Sequence, residues 1–265
     1  MPERVRPARI ALLGGVYGNE LALEATIDDA RRRGAERIYC LGDLGGFGPH
    51  PERIAPRLRG ASIDCVQGNY DRAIAEGAAD CRCGYADPRD NAFARVSYDY
   101  TVRRTPDDQR RWLGRLPPSL RVTVGDARVL LVHGSPRRQN EFLWESTSPN
   151  GMLEAFCRAG DADVLAFTHT GLRWHRRLPS GRHAVNVGAA GRPGNDGTPR
   201  VWYTLLTADR ELDAAFVPVS YDHDAVARAM EREGLPREFV ETIRTGWWTC
   251  CLESMPVKER ARGRY

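Results

Sequence analysis

No run of apolar residues in this 265-residue chain approaches the roughly 20 needed to cross a bilayer as a helix, so no membrane partner is expected. No basic-then-apolar leader with a cleavage site opens it either. The start, MPERVRPAR, is polar, which sets the expectation of a cytoplasmic protein. The seven cysteines are odd in number and scattered, which argues against a disulfide framework and predicts reduced thiols. Charge of one sign is gathered nowhere. Lys and Arg number 39 against 35 Asp and Glu, a net +4, and the Arg-dense stretches RRRGAER and KERARGRY read as solvated helix faces or ends. Nucleic acid is not indicated. No internal repeat, low-complexity tract or shift of composition marks a boundary, so one domain over residues 1–265 is expected, long enough to bury a core without staples.

What the chain does have is a series of short apolar runs ending in polar or glycine-rich loops. Arg9 to Leu13, RIALL, is too short for a helix and reads as a buried parallel strand that ends in GGVYGN. From Glu20, LALEATIDDARRRG has helical spacing, basic residues in its last turn and Gly34 as its stop. A second strand, Arg37 to Leu41, ends in GDLGGFGPH; a helix follows from Pro51; a third strand, Ile63 to Val66, ends in GNYD. Strand, helix, strand of this length is a parallel crossover. Three loops therefore open on one rim, where open α/β sheets place their ligands.

Residues at about 79–117 break this pattern with a long polar loop and two helical segments, Ala92 to Arg103 and Pro106 to Leu116, an insertion placed to cover the rim. LRVTVGDARVLLVHG alternates around a Gly125-Asp126 turn, a β-hairpin signal, and its second strand runs into His133. After a helix near Gly151 to Arg158, the strand VLAF runs into His169 with no turn residue between them. RWHRRL, HAVNVG, VWYTLL and LDAAFVPV then alternate, predicting a second, mostly antiparallel sheet. Two helices, His223 to Gly234 and Arg237 to Trp247, form a C-terminal helical extension at about 222–265. The fold class is α/β. Asp43, Asn69, Asp71, His133 and His169 all stand at strand ends, as the corners of a metal site would.

The order RIALLGGVYGN, CLGDLGGFGPHP, VQGNYDRAI, LLVHGSPRRQNEF, ADVLAFTHT and VNVGAAGRP, running from about Arg9 to Val219, resembles the calcineurin-like metallophosphoesterases, especially their small bacterial YfcE-like branch. That resemblance implies two stacked mixed β-sheets flanked by helices, with two divalent metals at the strand ends. It implies one complete ligand set: Asp43 of G-D, Asn69 of G-N-H-D, the lone His133, and His169 as the first His of G-H-x-H. The other set is missing, because Gly15 and Tyr17 stand where the family has D-x-H, and Gly171 where it has the second His. A single retained metal position follows from that pattern. One carboxylate, one amide oxygen and two imidazoles suit Mn, Fe, Ni or Zn better than Ca.

Such a site needs its lost charge replaced. Arg137, Arg138 and Arg192 are candidate partners for an anionic oxygen, a surface role being the alternative for each. Tyr17 either donates to substrate or fills the vacated volume. The family often has a His general acid in G-N-H-D, oriented by the next Asp; here Tyr70 precedes Asp71, which changes how a leaving group is protonated. A second metal would need ligands foreign to the family, such as His175 or the pairs Cys81/Cys83 and Cys250/Cys251, although His175 also reads as an ordinary strand residue.

The expected activity is metal-dependent hydrolysis of a phosphate ester on a small, anionic, phosphorylated substrate. Two alternatives stay open: the same metal site used for non-phosphate hydrolytic or lyase chemistry, and a non-catalytic module that binds a metal or an anion. A homo-oligomer is also left open.

Overall fold

The computed structural model describes residues 7–209 and 211–263. The expected crossover series is present as β1 (Arg9–Leu13), α1 (Glu20–Arg32), β2 (Arg37–Cys40), α2 (Pro51–Gly60) and β3 (Asp64–Cys65). The three strands are parallel, with Ile10 opposite Arg37 and Tyr39 opposite Asp64. Asn19 caps α1 by accepting from the Ala22 N–H at 3.1 Å, and Arg31 and Arg32 close its last turn.

Next come α3 (Asn69–Glu76), α4 (Pro88–Arg104) and α5 (Asp107–Leu113). The fourth helix starts four residues before the expected Ala92, because Asp87 accepts from the N–H groups of Arg89 and Asp90 and Pro88 fits the first turn. It packs on the β2 loop, where Thr101 Oγ1 and Ser97 Oγ accept from the Gly46 and Phe47 N–H groups.

The chain continues through β4 (Ser119–Val124), β5 (Ala127–Val132), α6 (Asn150–Ala159), β6 (Val164–Phe167), β7 (Trp174–Arg177), β8 (His183–Asn186), β9 (Val201–Ala208) and β10 (Leu212–Val219). It closes with α7 (His223–Arg232), α8 (Arg237–Thr245) and α9 (Val257–Arg260). Among the described residues no helix is long and apolar enough to cross a membrane.

Two mixed five-stranded sheets result, ordered β10-β9-β1-β2-β3 and β4-β5-β6-β8-β7. The four late strands do not form one sheet, as their alternation suggested. β9 pairs antiparallel with β1, Leu12 opposite Thr204, and carries β10 with it into the first sheet. Alternation shows that a segment has a buried face; it does not say which open edge the segment will cover, and here the free edge of β1 takes it.

Ile10 and Leu12 from the first sheet pack between the layers against Leu131, Val164, Ala166 and Val185 from the second, all almost wholly buried. At the rim the layers meet backbone to backbone. The Ala190 and Gly191 N–H groups both donate to the Gly15 carbonyl at 3.0 and 2.9 Å. A Cβ on Gly191 would stand 1.7 Å from the Val16 carbonyl oxygen, so only glycine fits there.

Cys81 and Cys83 are joined as a disulfide in the loop before α4, against the expectation of reduced thiols throughout. A loop that doubles back over two residues brings them together. Cys40, Cys65, Cys157, Cys250 and Cys251 are free.

His175, considered above as a foreign metal ligand, is committed elsewhere. Its Nε2 lies 2.8 Å from His183 Nδ1 across the β7–β8 pair, with the rings stacked. Burial lowers the pKa of both rings; Asp213 opposes this at His175, while His175 and Arg177 add to it at His183. Unfolded, both titrate near 6.5, so below that pH the unfolded chain binds more protons and stability falls as the solution is acidified. Urea midpoints measured between pH 7.5 and 5.5 are expected to fall more steeply for the native chain than for His175→Gln. Identical slopes would remove the pair from this account.

Candidate metal centre

Asp43, Asn69, His133 and His169 come together from four separate strand ends. His133 Nε2 lies 3.1 Å from Asn69 Oδ1, 3.2 Å from His169 Nδ1 and 3.3 Å from Asp43 Oδ2. Three of the four spend their other polar atom on the backbone. His133 Nδ1 donates to the Leu41 carbonyl at 2.7 Å, Asn69 Nδ2 donates to the Cys81 carbonyl at 2.9 Å, and Asp43 Oδ1 accepts from the Tyr70 N–H at 3.2 Å. These outer contacts leave two oxygens and two imidazole nitrogens facing one point.

A cation fits that point on the chemistry of the donors. With His133 Nδ1 protonated toward Leu41, Nε2 of a neutral ring presents a lone pair to two oxygens that are themselves acceptors. Buried acceptors this close need a positive charge between them, and outer-shell bonds of this kind orient metal ligands. One donor atom from each of Asp43, His133 and His169 lies within 4.8 Å of the other two.

The electrostatics agree. Burial, then the neighbouring His133, pushes His169 down to about 3, so its ring is neutral and available as a ligand. Burial opposes ionisation of Asp43 and protonation of His133, but each favours the charged form of the other, leaving the carboxyl below and the imidazole above its usual range. Without a metal His133 can thus hold a proton against Asp43, and metal binding would release it.

Backbone strain concentrates here as well. Tyr17, Asp43 and His169 all take left-handed φ, at 52°, 56° and 53°, a conformation that costs non-glycine residues roughly 1–3 kcal/mol each. Asp71 sustains it at Asp43. Its Oδ2 accepts from the Asp43 and Gly68 N–H groups at 2.9 and 2.8 Å, and its Oδ1 from Leu44 at 3.0 Å. Burial first, then Asp43, pushes this carboxyl up to about 6 even though those N–H groups favour its ionised form. The residue read as orienting an acid therefore holds two loops together and sets Asp43.

Aromatic rings cover the two glycines that the resemblance marked. Tyr17 lies over Gly15, where a Cβ would come within 2.3 Å of its Cζ, and Trp248 covers Gly171. Tyr70 turns its hydroxyl to the Ala94 carbonyl of α4 at 3.3 Å, away from proton delivery. Tyr17, Tyr70, Asp43, His169 and Arg192 line a small pocket of about 60 Å³, walled also by Tyr85, Phe93, Phe239 and Cys251. Tyr85, Phe93 and Phe239 went unremarked as site residues in the sequence, since they lie far from every motif, and Cys251 was considered only as a foreign metal ligand.

Arg137 and Arg138 are not brought into this pocket. They line a separate open cleft of about 830 Å³ that reaches Asn69, and Arg137 pairs with Glu141.

The motif order and the two stacked mixed sheets are those of a metallophosphoesterase-type protein. The chain belongs to the calcineurin-like phosphoesterase superfamily, whose domain model matches residues 9–211, and this places it among phosphoesterase-type hydrolases, a metal-dependent class. It is similar to a metallophosphoesterase structure from Sphaerobacter thermophilus, with 28% identity, 90% of this chain and 99% of that one covered, and a TM-score of 0.68. A protein from Pyrococcus horikoshii OT3, PH1004, shares the fold at 22% identity and TM-score 0.75, covering 91% of this chain and 99% of that one. MJ0912 of Methanocaldococcus jannaschii is 22% identical over 249 residues, 89% of this chain and 98% of its own length.

Asp71→Ala strands three buried N–H groups, so a stability loss of about 3 kcal/mol is expected from denaturant unfolding. An unchanged midpoint would show that water or a neighbour takes over the carboxylate's role.

Proposed function

We propose that this chain hydrolyses a small phosphate ester with one divalent transition metal, held by Asp43, Asn69, His133 and His169. The observation that carries the reading is the convergence of His133 Nε2, Asp43 Oδ2, Asn69 Oδ1 and His169 Nδ1 at a buried point, with the outer polar atoms of three of them tied to backbone. The donor set favours Mn, Fe, Ni or Zn. Such an ion supplies Lewis acidity toward a phosphoryl oxygen and toward water.

The surrounding residues do the rest. The Tyr17 phenol is driven well above its ordinary pKa by burial and then by Asp43, so it keeps its proton at neutral pH and can donate to a phosphoryl oxygen. Asp71 holds the Asp43 backbone in its strained geometry. Tyr85, Phe93 and Phe239 exclude water from a pocket suited to a small substrate rather than a macromolecule. With Gly15 and Gly171 closed over by Tyr17 and Trp248, the family's second ligand set has no room to be rebuilt from the same positions.

Protein purified without chelator is expected to contain about one transition-metal ion per chain, and to cleave p-nitrophenyl phosphate or bis-p-nitrophenyl phosphate. Asp43→Ala and His133→Ala should lose both properties, while Tyr17→Phe keeps the metal. Metal without turnover on a broad ester panel would favour the binding-module alternative; no metal would sink the proposal.

A further inference from the structure

Arg192 is a buried cation with no carboxylate partner among the described residues. It is 8% exposed, in the loop after β8, and among the described residues no carboxylate stands within ion-pair distance of it. What holds it is aromatic. Its guanidinium carbon sits 3.7 Å from the Trp248 ring centroid and 4.8 Å from that of Phe47. One terminal nitrogen donates to the Cys250 carbonyl at 3.1 Å, and Nε is buried with no hydrogen-bond partner. A guanidinium has five N–H donors. Burying one with so few partners costs several kcal/mol unless an anion completes it.

The cation also stands in a telling place. Trp248, on which it stacks, is the ring that covers Gly171, and Tyr17, which covers Gly15, lines the same pocket. Asp43 is not within ion-pair distance of it, and its two carboxylate oxygens face Tyr70 N–H and His133 instead. The Tyr17 phenol is near enough to both charges that Asp43 raises its pKa while Arg192 lowers it. The acid beside Arg192 is the Cys251 thiol, which Cys250 first and Arg192 second hold below the usual thiol range.

We propose that Arg192, clamped between Trp248 and Phe47, is the fixed cation of an oxyanion subsite that takes the place of the abandoned metal position and binds phosphate or the phosphoryl group of an ester. That this group faces the reacting centre rests on the metal-site reading above; the anion subsite itself does not. Arginine suits the task because its charge is permanent and its planar fork can meet two oxygens at once. The stacked rings fix its plane in advance, so little side-chain entropy is lost on binding.

The test is calorimetric titration with inorganic phosphate, on chelator-treated protein and again after loading with Mn²⁺. Chelator-treated wild type should bind phosphate, Arg192→Gln should bind at least about tenfold more weakly, as expected for loss of charge-assisted hydrogen bonds, and Arg192→Lys should fall between them. Asp43→Ala should keep phosphate binding while losing the metal. Equal binding by Arg192→Gln overturns the inference, as does absence of binding by chelator-treated wild type at about 10 mM phosphate, roughly the weakest interaction worth assigning. The second result needs no variant to fold. It would leave Cys251 as the counter-ion, whereas phosphate binding by a chain that takes up no metal would sink the metal reading and leave this one standing.

Discussion

The wholly buried carboxylate of Asp71 takes N–H groups from Asp43, Leu44 and Gly68, and the ends of two parallel strands are held in register through those three bonds. Asp43 could not keep a left-handed backbone on its own. Once it does, its side chain points at His133, its carbonyl receives the Val16 and Tyr17 N–H groups, and the loop after β1 is fixed as well. Buried polar groups that are fully bonded in this way specify one arrangement of loops. The Asp43, His133 and His169 cluster, the Tyr17 ring and the mouth of the pocket all follow from it.

Around that knot the packing is aromatic. The ring of Tyr17 lies over Gly15, that of Trp248 lies over Gly171, and the Arg192 guanidinium stacks on Trp248. The covering elements, α4 and α8, are joined by an aromatic cluster in which Phe47 and Phe93 both meet Phe239. The insertion and the C-terminal helices therefore form one cover rather than two independent flaps.

Much of this was legible in the sequence because strand-end loops carry their own signatures. GDLGG, GNYD, the His after LLV and the His after VLAF each pair a buried strand with a polar residue, and those four positions meet in space. Three things could not be read there. The partner of β9 depends on which edge is free, a property of the assembled sheet. Tyr85, Phe93, Phe239 and Cys251 reach the pocket through long-range packing that no local spacing records. Asp71, read as a helper in proton transfer, is wholly engaged by backbone donors, which only the folded loops reveal. Arg137 and Arg138 looked like Arg192 in sequence; the assembled loops put them in a different cleft.

The glycine seam at the rim has a mechanical meaning. Gly15 and Gly191 bring the two sheets into direct main-chain contact, leaving no side chain to flex between the loop that carries Tyr17 and the loop that carries Arg192. The floor of the pocket is in this sense an anvil whose two halves cannot slide apart. Any give in the pocket wall must therefore come from the side carrying Tyr85, Phe93 and Phe239, whose rings belong to α4, α8 and the loop before α4.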